Sequence, residues 1–302
     1  MRLRLAVILA VLALSACKPK PSSTVVIDPG LLTLVGSDAI YMGGIRVEQL
    51  KPTPLWQRFV VEQKNATVDE FSRKTGIDPR QKIWQILLTG NGKDNWAMVR
   101  GDFATELGKE PEVHIEGAER TAYKGYTLIG TEDTSLVFMN PGIAVVASVP
   151  ALKRLIDSRN SPSGGPPKWL LDRAAAIPST NQIWFVGSVS GVTQRFAPPK
   201  SSASNFTQFL DRTQLLTAEI DVSQGLKIHL EGECTDEKGA RQIHDALRAL
   251  IGMLRINTAT EATDLLRAYD SVKVTWEQKK VTVDSDMKMP QVDALLNLAR
   301  IK

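Results

Sequence analysis

The chain has 302 residues, 43% hydrophobic and 23% charged, with a formal net charge of +4. Such a length and composition support a packed core and exclude a disordered chain. The charge is too small to argue for nucleic acid, and the two cysteines are too few for a disulfide framework.

The N-terminus opens with two basic residues, Arg2 and Arg4, followed by an unbroken apolar run from Leu5 to Leu14. Small residues Ser15 and Ala16 precede Cys17. A basic start, a short apolar stretch and a small-residue cleavage site read as a secretory signal over residues 1–16. The apolar run falls well short of the roughly 20 residues that a membrane-spanning helix needs. Removal of the signal takes the formal charge from +4 to +2.

Leu14-Ser15-Ala16-Cys17 resembles the lipobox of bacterial lipoproteins. That resemblance implies cleavage between Ala16 and Cys17, a diacylglycerol in thioether linkage on Cys17, and a further acyl chain such as palmitate on the new amine. The thiolate is the strong nucleophile that such chemistry requires. Two or more chains together anchor a protein stably, at about 0.8 kcal/mol per buried methylene. Lys18, rather than Asp, follows the cysteine. By analogy with the enterobacterial sorting rule, this implies the periplasmic face of the outer membrane in a Gram-negative cell. The polar, Pro-rich residues 17–24 then read as a lipidated tether.

Beyond the tether, the pattern predicts a first α+β domain over 25–158, a Pro- and Gly-rich linker over 159–168, and a second α+β domain over 169–302. In the first, a strand near Ala39–Val47 leads to helical pieces at Pro54–Gln63 and Val68–Thr75. A hairpin of Ile83–Thr89 and Asn95–Phe103 follows, then strands at Tyr126–Gly130, Ser135–Met139 and Ile143–Ser148, and a helix at Pro150–Ser158. The second offers a strand at Gln182–Val189, helical pieces near Gly191–Phe196 and Asn205–Arg212, and a hairpin of Leu215–Val222 and Leu226–Cys234. Helices at Asp236–Leu254 and Thr260–Tyr269 come next, then a hairpin of Ser271–Glu277 and Lys280–Lys288, and a helix at Gln291–Ile301. The expected fold is therefore α+β: two similar halves of antiparallel sheet with helices packed on one face. The common element order suggests an internal duplication.

Alternation of apolar and polar residues fixes the expected registers. Val222 should pair with Leu226, Ile220 with Ile228, Asp221 with Lys227 and Glu219 with His229, around a Ser223-Gln224-Gly225 loop that puts Gly in a left-handed conformation. Trp276 should pair with Val281, Val274 with Val283 and Lys273 with Asp284. The helix after the first of these hairpins is expected to be capped by Thr235 and to lay Ile243, Leu247, Leu250 and Ile251 on the sheet.

Candidate chemistry is sparse. His229, Glu231 and Glu233 alternate onto one strand face beside Glu219 and Asp221, a set able in principle to hold zinc or manganese. The alternative is a solvated acidic face with Lys227 mixed in. Asn91-Gly92-Lys93-Asp94 reads as a hairpin turn, because no phosphate-loop pattern surrounds it. His114 and His244 stand apart from any nucleophile, and no hydrolase elbow, metalloprotease helix or Cys–His arrangement is present. His244 and Asp245, as helix neighbours, are expected not to face each other. Cys234 reads as a small core residue. Trp84, Trp184 and Trp276 are expected to anchor the core, while Trp56 and Trp169, which follow Pro-containing segments, read either as core edges or as exposed aromatics of a partner or glycan surface.

The segments Tyr123–Gly130 and Gly142–Val149, with the helix after them, resemble uncharacterised, internally duplicated envelope domains, and that resemblance implies no activity. The sequence thus points to a lipid-anchored cell-envelope protein, non-enzymatic, that binds a protein partner or acts as a scaffold. A second reading is a module for a small apolar or lipidic ligand held between the halves. A third is a metal-dependent hydrolase built on His229, Glu231 and Glu233. The expected partners are a membrane, reached through the N-terminal lipid, and an envelope protein. No cofactor and no nucleic acid are expected.

Overall fold

The computed structural model describes residues 24–62, 66–104, 113, 115, 117–159, 165–189 and 212–300. The signal residues, Ala16 and Cys17 therefore lie outside the described residues. So do His114 and the helical pieces expected at Gly191–Phe196 and, for all but its last residue, Asn205–Arg212.

Among the described residues, twelve strands form one antiparallel sheet. In chain order they are β1 (Tyr41–Ile45), β2 (Ile83–Gly90), β3 (Asn95–Gly101), β4 (Glu119–Tyr123), β5 (Tyr126–Gly130), β6 (Ser135–Asn140) and β7 (Ile143–Ala147). The second half supplies β8 (Ile183–Ser188), β9 (Thr213–Asp221), β10 (Gly225–Cys234), β11 (Lys273–Glu277) and β12 (Lys280–Lys288). The described helices of the first half are α1 (Pro29–Leu32), α2 (Val47–Leu50), α3 (Pro54–Trp56), α4 (Ala66–Thr75), α5 (Pro79–Lys82) and α6 (Val149–Ser158), with a π-helical stretch at Gln57–Glu62 after α3. Those of the second are α7 (Lys168–Ala176), α8 (Glu237–Ile256), α9 (Thr263–Ser271) and α10 (Met289–Arg300).

The strand order is β11-β12-β10-β9-β8-β1-β2-β3-β7-β6-β5-β4. Outward from the central β1–β8 pair, one side runs β2-β3-β7-β6 and the other β9-β10-β12-β11. On each side the last hairpin feeds a helix, α6 or α10. The fold is thus α+β on an antiparallel sheet, as the patterning predicts.

Alternation sets which face each half buries. Leu87, Met98, Val145 and Val137 form one row across β2, β3, β7 and β6, and α6 and α7 close a core over it with Leu152, Leu155, Leu170 and Ala174. Trp184 of β8 belongs to this core, whereas its neighbour Ile183 points to the other face and pairs with Ile220. Along that other face, Ile228 and Leu226 of β10 lead to Met287 of β12, and there α8, α9 and α10 pack. The principal helical layers of the two halves therefore cover opposite faces of one sheet. The first core also crosses the chain midpoint, because α7, which the sequence pattern does not reveal, contributes Leu170 and Ala174 to it.

The expected hairpin registers hold: Ile220 faces Ile228, Asp221 faces Lys227, Glu219 faces His229, and Trp276 faces Val281, although the β9–β10 ladder ends at Asp221 and Lys227, one pair short of Val222 and Leu226. Gly225 is needed for a different reason from the one expected. It is not in the left-handed region. Instead a Cβ there would strike the Met287 carbonyl of β12, so glycine allows the close approach of two backbones. The cap of α8 is Asp236, not Thr235: its carboxylate accepts from the Gly239 amide at 2.6 Å. Trp184 is buried as expected, and Trp276 packs against Cys234 and Ile243. Trp84 instead lies exposed, with the Arg100 guanidinium 5.3 Å from its ring centre.

Candidate functional site

The outer face of the first half is as apolar as the core face but is not filled. Val99 faces Ala144, which faces Phe138; in the next row Val146 faces Leu136, which faces Ile129. Val99, Ala144, Val146, Leu136 and Ile129 of these rows floor a cavity of about 380 Å3. Ile77, Ile83, Phe103 and Ile115 wall it, and Phe103 packs on Phe138 with ring centres 5.4 Å apart. Gly130, Thr131, Thr134 and Ser135 of the β5–β6 turn form its edge. Their polar groups are already engaged: the Thr131 amide donates to the Thr134 carbonyl at 2.9 Å, and Ser135 Oγ donates to the Thr131 carbonyl at 2.6 Å. Gly130, at φ +147°, is required there because a Cβ would collide with the Thr134 carbonyl.

The described lining carries no titratable side chain. A site of this kind supplies burial and shape rather than proton transfer, and its volume falls in the range of small-molecule pockets. Sequence reading places an apolar ligand between the halves; the structure puts the apolar cavity wholly within the first half. The signal was present in Ile143-Ala-Val-Val-Ala147, whose unbroken apolar run marks a strand buried on both faces.

The polar candidates lie elsewhere, on the face of the second half opposite α8, α9 and α10. A cleft of about 630 Å3 is lined by Glu219, Asp221, Lys227, His229, Asp284 and Asp286 among others. His229, Glu231 and Glu233 share that face but do not converge. His229 Nδ1 lies 2.7 Å from Asp284, Glu231 accepts from Lys280 at 3.0 Å, and Glu233 accepts from Arg173 at 2.6 Å. Alternate residues on a strand stand roughly 6.5 Å apart, and each of these meets its own cross-strand or helix partner before it can share an ion. Among the described residues no three His, Cys, Asp or Glu side chains are grouped to hold a metal.

Burial pushes the Cys234 thiol above its usual range. His244 departs from expectation, because its Nδ1 lies 2.9 Å from the carboxylate of the adjacent Asp245. Asn91 Oδ1 accepts from the amides of Lys93 and Asp94, which closes the turn with Gly92 at φ +85°.

No protein family matches the chain, and neither does any curated protein. Among solved structures, crystal form III of TP0453 superposes with a TM-score of 0.51 at 11% identity, over 89% of this chain and 97% of that one. The chain has a TP0453-like fold. Crystal forms I and IV of TP0453 give TM-scores of 0.44 and 0.48 at 10% and 12% identity, each over 90% of this chain and 96% of that one. At such identity the likeness to TP0453 extends to the fold alone. No helix of the described residues is long and apolar enough to cross a membrane.

Proposed function

We propose that this is a lipid-anchored envelope protein that holds a small apolar or lipidic ligand in the cavity of its first half. The apolar lining of that cavity carries the reading. The anchor rests on the signal over residues 1–16 and on Cys17. A ligand that buries about 300 Å2 of apolar surface gains roughly 7 kcal/mol before the cost of immobilisation. That supports binding, weakened by the ordering cost, without any charged contact.

A second reading, a protein-binding or scaffold role, is favoured by α8. Its apolar residues Leu250, Met253, Leu254 and Ile256 are exposed, the last by 84%.

Mild extraction of the full chain from envelopes, followed by mass spectrometry of what stays bound, tests the first reading. A discrete apolar molecule on the wild type, lost in Val146→Phe, supports it. A ligand-free wild type, or a ligand retained equally by Val146→Phe, contradicts it.

A further inference from the structure

The sheet ends in two strands, β4 and β11, and among the described residues neither pairs with a further strand. An open edge presents unpaired backbone groups to any strand that fits. The sequence of β11 is Lys273-Val-Thr-Trp-Glu277. Set antiparallel against itself about Thr275, it places Lys273 opposite Glu277, Val274 opposite Trp276, and Thr275 opposite Thr275. Both pairings then occur twice, as a two-fold interface demands. Opposite charges and aromatic–β-branched pairs are the cross-strand pairs that stabilise antiparallel ladders. The other edge, Glu119-Arg-Thr-Ala-Tyr123, has no such property: about Thr121 it sets Glu119 against Tyr123 and Arg120 against Ala122. Arg120 there also donates to the Val113 carbonyl at 2.7 Å.

A second, independent feature lies on the same edge. Helix α8 packs over β11, with Ile243 buried in a small core against which Leu247, Val274 and Trp276 all pack. Its 20 residues span about 30 Å, against roughly 17 Å for five residues of strand. Leu250 and Leu254 continue the stripe of Ile243 and Leu247 at helical spacing, yet both are exposed. Edge-to-edge pairing lays two such helices antiparallel on one face of the joined sheet, and the uncovered stripe of each is offered to the other.

We infer that a second copy of this chain docks on the β11 edge, joining two sheets into one through a two-fold axis at Thr275. This goes beyond the ligand-binding reading and does not depend on it.

The test uses the full chain in isolated envelopes. Thr275→Cys places two thiols opposite each other at the axis, and oxidation should yield a covalent dimer, whereas Thr121→Cys on the opposite edge should not. Sedimentation of the detergent-solubilised full chain should show a dimer. Lys273→Glu and Glu277→Lys should each weaken it about tenfold, since two like-charge pairs replace two attractive ones. The double exchange should restore it. A monomer at every concentration overturns the proposal, as does a dimer that neither cross-links through Thr275→Cys nor responds to the charge exchanges.

Discussion

Gly44 and Trp184 are directly paired across β1 and β8, the two strands that join the halves, and the indole occupies the space where a Gly44 side chain would project. Trp184 is only 2% exposed, and its ring nitrogen has no hydrogen-bond partner among the described residues. The centre of the sheet therefore depends on one missing methyl group. Gly44→Ala should destabilise the protein by about 1–3 kcal/mol through overpacking, read as a lower urea midpoint at unchanged slope. An unchanged midpoint would mean that the indole shifts freely.

Arg154 on α6 grips Asp94 in the β2–β3 turn through two bonds, of 2.5 and 2.6 Å. Asp94 is 7% exposed, while Arg154 is about half exposed. Removing the guanidinium strands a buried carboxylate, so Arg154→Leu should cost about 1–3 kcal/mol, discounted from a fully buried pair for solvent screening. Lys168→Ala, which breaks the exposed pair with Asp172, should cost less than about 0.5 kcal/mol. Equal midpoints for the two variants would contradict the assignment.

Acid sensitivity should have a contribution from Asp221. Burial pushes its carboxyl up, but hydrogen bonds from Ser223 and Gln182 and the charge of Lys227 outweigh this and hold it below the usual carboxylate range. The unfolded carboxyl takes up its proton near pH 3.9, while the folded one stays ionised. Stabilisation from this group is thus present above about pH 4 and lost as the pH falls through the lower folded value. Asp221→Asn should flatten the acid limb of a stability–pH curve. An acid limb identical to wild type would remove Asp221 from the account.

Cys234 packs with Ala240, Ile243 and Val281, and burial keeps its thiol protonated at neutral pH. A thiol reagent should modify it on the order of a hundredfold more slowly in the native protein than in denaturant. Comparable rates would show that this corner opens readily.

The hairpins were legible because one face of each is wet. Glu219, His229 and Asp284 on one side and Ile220, Ile228 and Val283 on the other leave a single sensible register. The first half was less legible. Ile143–Ala147 is apolar on both faces, so alternation cannot say which face the helices take and which stays hollow. The strand order across β1 and β8 rests on contacts between Met42 and Val186, 144 positions apart, and no local pattern encodes them. Trp84 and Trp184 look alike in sequence, but only Trp184 faces a closed core. The metal candidate failed to assemble because alternation records a shared face, not the partner each side chain finds on it.

The central claim is that the cavity beneath β5, β6 and β7 takes an apolar ligand. An aliphatic photoreactive probe added to envelopes containing the full chain, with adducts mapped by peptide mass spectrometry, tests it most directly. The predicted result is labelling of residues that line the cavity, among them Ile129, Leu136 and Val146, and its loss in a folded Val146→Phe variant. Labelling confined to the exposed end of α8, or unchanged by Val146→Phe, would contradict the claim.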